Sequence, residues 1–367
     1  MRNTAYLIAA LAFSVLCWGL YGSVLQWGQM GMAIKPVQIG KATEPGQAGM
    51  STEVGQIARL RPFVCVGLAY FLIGVIVPAV WLYLRGEEGD WTVTGIVWSL
   101  AGGALGALGA FGVVMAFYFG GRPVYVMPLV FGGAPVVNAF LTIYLAGRMR
   151  EIGPLFLAGL IMVILGAVTV LVFTPHGSAV APTAESGFMS WVWRLLAVAV
   201  TIGCWGAYGP VLHKGQAAMD HSRLRPFLCV GLAYFALAVV MPNMILAEAP
   251  EASSYANITG TFWSLLGGAA GACGALGVIL AFNFGGRPVY VMPVIFGGAP
   301  VVNTFFTMIS HGGWSDAGPL FLAGLILVIA GSTMVLVLAP RGEASQESRV
   351  GIEERGLRNS ERAAGEP

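Results

Sequence analysis

One long stretch of this chain is written twice. Residues 98–138 return as residues 263–303 at an offset of 165 with no gap, and 32 of the 41 positions are identical. The strings GGRPVYVMP and GGAPVVN survive intact in both copies. Two near-identical sequences of this length must form two near-identical units, so the duplication constrains the fold before any single residue is considered. The repeat also reaches beyond this stretch. CWGLYG at 17–22 matches CWGAYG at 204–209, RLRPF at 59–63 matches 223–227, and GPLFLAGL at 153–160 matches 318–325.

The apolar runs show what each unit is made of. They cover 5–27, 62–84, 93–119, 123–146 and 152–173, and then 191–212, 226–247, 259–284, 288–309 and 318–339. Each is close to the roughly 20 residues that an α-helix needs to cross hydrocarbon. Only 10% of the 367 residues are charged and 57% are hydrophobic, with a mean hydropathy of +0.79. Such a chain lacks the charge to cover its own surface in water, where soluble domains carry about a quarter charged residues. The expected fold is therefore an all-α integral membrane protein of ten transmembrane helices.

Five helices per unit is an odd number, so the second unit enters the membrane in the opposite sense. The expected architecture is two inverted five-helix repeats, a plan found in secondary transporters. The first repeat covers 1–173, with 31–57 as an outer loop excursion. A Pro/Ser/Ala linker follows at 174–190, and the second repeat covers 191–340. Residues 341–367 mix Arg and Glu with almost no large apolar groups, which predicts a disordered cytoplasmic tail.

With both termini inside, the inner segments carry 13 of the 19 Lys and Arg residues. The positive-inside rule thus predicts cytoplasmic termini, and a bacterial inner membrane is the expected location. The first apolar run is similar to a signal peptide, but Cys17–Gly22 recurs at Cys204–Gly209, where no signal can act, so helix 1 is expected to remain.

Several function classes fall away. A net charge of +2 with no basic stripe argues against nucleic acid as a partner. The five cysteines all lie in apolar runs without Cys-x-x-Cys or His spacing, so they read as small buried hydrophobes rather than metal ligands. Every Asp and Glu falls in a loop, a helix end or the tail. No catalytic carboxylate pair, activated nucleophile or phosphate loop is present, so no enzyme activity, cofactor or metal is expected. A proton-driven pump would usually bury a carboxylate or His at membrane depth.

Three sets of residues remain as candidates. In FGGAPVVN, Gly132, Gly133 and Pro135, and their duplicates Gly297, Gly298 and Pro300, are expected to break helices 4 and 9 midway. Pro135 cannot donate to the carbonyl of Phe131, and freed carbonyls at membrane depth are tolerated only against protein or a wet cavity. Asn138 and Asn303 follow three residues later with an amide that donates and accepts. Matching breaks in two inverted halves point to a midplane substrate site. Trp18, Tyr21, Trp205 and Tyr208, from the two CWGxYG copies, supply flat rings for lining a cavity. Core packing against Gly19 and Gly206 explains them equally well. Arg122 and Arg287 stand at the starts of helices 4 and 9, as anchors to lipid phosphate or as cavity-mouth residues. The glycines at 102, 106, 109 and 112, repeated at 267, 271, 274 and 277, paint a small-residue stripe for close helix packing.

Five plus five inverted helices, short loops and a Trp-Gly motif in the first helix of each half resemble the drug/metabolite transporter superfamily. The EamA-type permeases and the glucose- and rhamnose-uptake branches are the nearest members. The resemblance covers about residues 5–340 and places Trp18 and Trp205 on the family's Trp-Gly position. It implies a secondary carrier of small metabolites with a central cavity between the halves. The near-identity of these halves departs from a family whose repeats have mostly diverged. The expected function is alternating-access transport of a small polar, sugar-like or otherwise neutral solute. The lipid bilayer is the other expected partner, and a homodimer is an open option for assembly. A non-transporting scaffold and a lipid or lipid-linked-sugar flippase are the alternatives.

Overall fold

The computed structural model describes residues 2–32, 60–145, 147, 149–173, 188–220, 222–248, 258–284, 288–311 and 318–338. The tail, most of the linker and most of the first loop excursion lie outside these residues. Every long element is a helix, and no strand occurs among the described residues. The first unit comprises α1 (Arg2–Met32), α2 (Leu60–Arg85), α3 (Val93–Tyr118), α4 (Pro123–Leu145) and α5 (Pro154–Val172). The second comprises α6 (Phe188–Ala218), α7 (Leu224–Ala247), α8 (Ile258–Asn283), α9 (Pro288–His311) and α10 (Pro319–Leu338).

Seven of these, α1–α4 and α6–α8, are long and apolar enough to cross a membrane by length and composition. The other three carry shorter apolar stretches, at Pro154–Val170, Val294–Ser310 and Pro319–Val335. Large apolar side chains cover positions where a soluble protein would carry charge: Leu84, Val168, Ile258 and Ile326 are all well exposed. Such a surface is stable only against lipid or another apolar solvent.

The glycine stripe decides which helices touch. The first helix of each unit lies antiparallel on the third helix of the other. On α1, Ser14 donates to the Gly274 carbonyl at 3.1 Å and the Trp18 indole N–H to Gly271 at 3.1 Å. Further along, Leu25 abuts Gly267 and Gly31 abuts Gly260. The same register appears on α6, where Thr201 donates to Gly109 and Trp205 to Gly106, each at 3.1 Å. Gly215 of α6 abuts Ser99 of α3. A bare Cα lets a backbone carbonyl come within reach of a side chain on the neighbouring helix, and that contact serves as the glue between helices in lipid.

The rest of the assembly is equally reciprocal. Gly159 of α5 meets Gly331 of α10, and Gly166 meets Gly324. On α2 and α7, Gly67 meets Ala238 and Gly74 meets Gly231. Some residues meet their own duplicates: Tyr70 stacks on Tyr234 with centroids 3.8 Å apart, Phe71 lies 4.6 Å from Phe235, and Phe131 lies 6.3 Å from Phe296. An interface in which residue i meets j while the duplicate of i meets the duplicate of j is self-complementary.

Two local features differ from expectation. Helix α4 stays helical through Gly132–Pro135, and α9 through Gly297–Pro300. The departures from α-geometry lie instead in α2 and α7, as π-turns at Leu72–Ile76 and Phe235–Val240. Each π-turn runs directly into a proline at the second position of the next helical segment, Pro78 or Pro242. Lacking an N–H, the proline cannot take up the carbonyl one turn back, and the wider turn absorbs the mismatch.

Candidate functional site

The central contacts bring together residues from both units. Trp18, Trp205, Phe131 and Phe296 form an aromatic cluster. Trp18 lies 6.4 Å from Phe131 and 6.1 Å from Phe296, and Trp205 lies 6.2 Å from Phe131. Tyr21 joins it, 6.1 Å from Trp205. Tyr21 is buried, and its hydroxyl has no hydrogen-bond partner among the described residues. Tyr208 is half-buried. Of the two uses foreseen for the tryptophans, packing claims the indole N–H groups, which are committed to helix carbonyls. The ring faces remain inside the cluster.

The duplicated asparagines are not equivalent. Asn303 is fully buried. Its Nδ2 donates to the Pro123 carbonyl at 2.8 Å, and its Oδ1 accepts from the Ser23 hydroxyl at 3.3 Å. The Ser23 and Thr307 hydroxyls lie 2.7 Å apart and Thr307 lies 2.7 Å from the Asn303 carbonyl, so two hydroxyl hydrogens are shared among three contacts. Asn303 thus ties α9 to α1 and to the first residue of α4. Asn138 is only half-buried and packs on Gly209 of α6. Its Oδ1 accepts from Thr142 at 3.5 Å, and its amide nitrogen donates to none of the described residues.

The turn between α3 and α4 is held from several sides. Gly120 sits at φ +83°, a conformation that glycine adopts without strain. Its carbonyl accepts from the Tyr125 hydroxyl at 3.1 Å and from Arg194 of α6 at 3.4 Å, and Arg194 also donates to Tyr125 at 2.9 Å. From α1, Gln26 donates to the Gly121 carbonyl at 3.4 Å, and Gln29 to Val114 at 3.0 Å. Arg122 follows, half-buried, and its carbonyl accepts from Val126 at 2.9 Å. Its duplicate Arg287 lies outside the described residues, so only one of the two expected mouths is described.

Sequence reasoning missed Ser23, Thr307, Gln26 and Arg194. A signal for three of them was present. Between two nearly identical halves, Ser23 stands against Pro210, Gln26 against His213 and Arg194 against Leu7. Departures from the repeat mark where the halves differ in role. Thr307 gave no such signal, because its duplicate Thr142 is the same residue.

No family model matches the chain, and no curated protein matches it. Among solved structures, one described only as "Crystal structure of protein" is 18% identical. It matches over 90% of this chain and 99% of its own length, with a TM-score of 0.49.

Proposed function

We propose that this protein is a secondary transporter that moves a small polar, uncharged solute between its two halves by alternating access. The unequal state of the two duplicated asparagines carries the reading. Asn303 is bonded across three helices, whereas Asn138 accepts only from Thr142 of its own helix and its amide nitrogen donates to none of the described residues. A two-fold machine that opens to one side at a time passes through unequal states, with one end tied and the other free, and the inequality of the asparagines supports that reading.

The directions of the helices support an inverted arrangement. Val15, Gly19 and Ser23 meet Gly298, Val302 and Asn303 in rising order, so α1 and α9 run parallel. Pro123 and Phe131 of α4 meet Asn303 and Phe296, so α4 and α9 run antiparallel. Ile202, Gly206 and Gly209 meet Gly133, Val137 and Asn138, so α4 and α6 run parallel. By this chain of contacts α1 opposes its own duplicate α6, as inverted repeats require. Ten crossings put both termini on one side, and the excess of Lys and Arg in the segments on that side supports the cytoplasm as that side.

The aromatic cluster supports the solute class. Ring faces with a few uncharged hydrogen-bonding groups suit a solute with apolar faces and polar edges, such as a sugar. A thermal-shift screen of sugars, amino acids and nucleotide sugars tests this. At least one class of solute is expected to raise the unfolding midpoint. Both Asn138→Ala and Asn303→Ala are expected to diminish that rise. A solute response that survives in both variants places the site elsewhere.

A further inference from the structure

Away from the aromatic cluster, the last residues of α1 and α7 and the first turns of α2 and α8 enclose a cleft of about 180 Å³. Its lining includes Arg61, Asn243 and Thr261, with Met32, Val64 and Leu246 as apolar walls. That volume is many times what a single water needs, enough for one small anionic group.

The duplication supplies an internal comparison. The counterpart of Arg61 is Arg225, which is fully engaged. Its Nη1 donates to the Glu88 carbonyl at 3.0 Å and to Ser222 at 3.2 Å, and its Nη2 donates to the Glu87 carbonyl at 3.0 Å. The Glu87 carboxylate lies 3.9 Å away, and the Trp91 ring 6.0 Å away. Glu87 meanwhile accepts from the backbone N–H groups of Arg223 and Leu224, each at 3.1 Å. Arg61 makes no hydrogen bond or ion pair among the described residues, and its Nε is buried without a partner.

The cleft also differs in polarity from its duplicate. Asn243 stands where the first unit has Ala79, and Thr261 where it has Ile96. One amide hydrogen of Asn243 goes to the Val239 carbonyl at 2.8 Å, leaving the other to donate. The Thr261 hydroxyl makes no hydrogen bond among the described residues. One copy of this corner is therefore a latched arginine in an apolar seat. The other is an unlatched arginine facing two added hydrogen-bonding groups.

We propose that this cleft is an anion site that takes a phosphate or carboxylate group. Arg61 supplies charge-assisted hydrogen bonds, and Asn243 and Thr261 supply the remaining donors. The same chemistry is offered by an anionic lipid headgroup and by a free inorganic ion. The apolar walls and the position at the helix ends suit the lipid, because there a charged headgroup meets the arginine while the acyl chains stay in hydrocarbon.

The test uses the full chain in two arms. Native mass spectrometry after release from nanodiscs of phosphatidylcholine and phosphatidylglycerol reads lipid retention. Thermal shift with inorganic phosphate in zwitterionic detergent reads the free ion. Arg61→Gln and the double variant Asn243→Ala/Thr261→Ile are compared with wild type. The double variant installs the residues that the duplicate corner carries at those positions, and its unfolding midpoint without ligand checks that it folds. Preferential phosphatidylglycerol retention, lost about tenfold or more in both variants, assigns the site to lipid. Phosphate stabilisation lost in both variants, without lipid preference, assigns it to the free ion. Absence of both effects, or effects unchanged in the variants, overturns the proposal.

Discussion

Gly109→Ala and Gly274→Ala are expected to destabilise the protein by about 1–3 kcal/mol each, the usual range for overpacking a close contact. In each case the new methyl falls on the indole of a tryptophan from the facing helix, Trp205 or Trp18. The ring cannot simply swing aside, because its N–H is bonded to the Gly106 or Gly271 carbonyl one turn away. Displacing it therefore also breaks a cross-helix hydrogen bond. The control is Gly102→Ala on the same stripe, where the added methyl meets Leu212 at 3.4 Å, an ordinary contact. Unfolding midpoints in detergent should fall clearly for the first two variants and hardly at all for Gly102→Ala. Equal effects would mean that α6 does not sit on the stripe in this register.

The second large effect separates two residues that occupy the same position in their repeats. Asn303→Ala takes one donor from the buried Pro123 carbonyl, which keeps the helical bond from Met127, and one acceptor from the Ser23 hydroxyl, which keeps Thr307. A lost hydrogen bond costs about 0.5–1.5 kcal/mol, and the unfolded-in-membrane reference lowers the sum for these two towards the bottom of that scale. Asn138→Ala removes an amide that is half exposed and donates to nothing described, so its cost should stay under about 0.5 kcal/mol, as for ordinary surface substitutions. The difference shows in thermal unfolding of the two single variants without solute. Equal destabilisation would contradict the unequal resting state.

Much of the architecture was legible because it depends on summed properties. Apolar runs of membrane length report helices whatever the neighbours are, and an offset of 165 reports a second unit. The glycine stripe was likewise read correctly as packing, since small residues at helical spacing admit a close neighbour. Its partner was not legible, because which helix fills the stripe depends on tertiary contacts such as Trp205 against Gly109. The expected breaks at Gly132–Pro135 rest on a local rule about proline. In α4 and α9 the helix continues across that rule, while in α2 and α7 the turns before Pro78 and Pro242 widened into π-turns. Composition alone does not distinguish those outcomes. The inequality of Asn138 and Asn303 was hidden for a different reason. Their FGGAPVVN strings are identical, so the difference arises far away in the chain, where Ser23 stands against Pro210.

The most direct test of the account is solute movement itself. Purified protein reconstituted into liposomes should show saturable uptake of at least one small polar solute, with counterflow when the same solute is loaded inside. Asn138→Ala and Asn303→Ala should each reduce it. Liposomes that move no sugar, amino acid or nucleotide sugar above the protein-free background, with correctly folded protein in the membrane, would contradict the transporter reading.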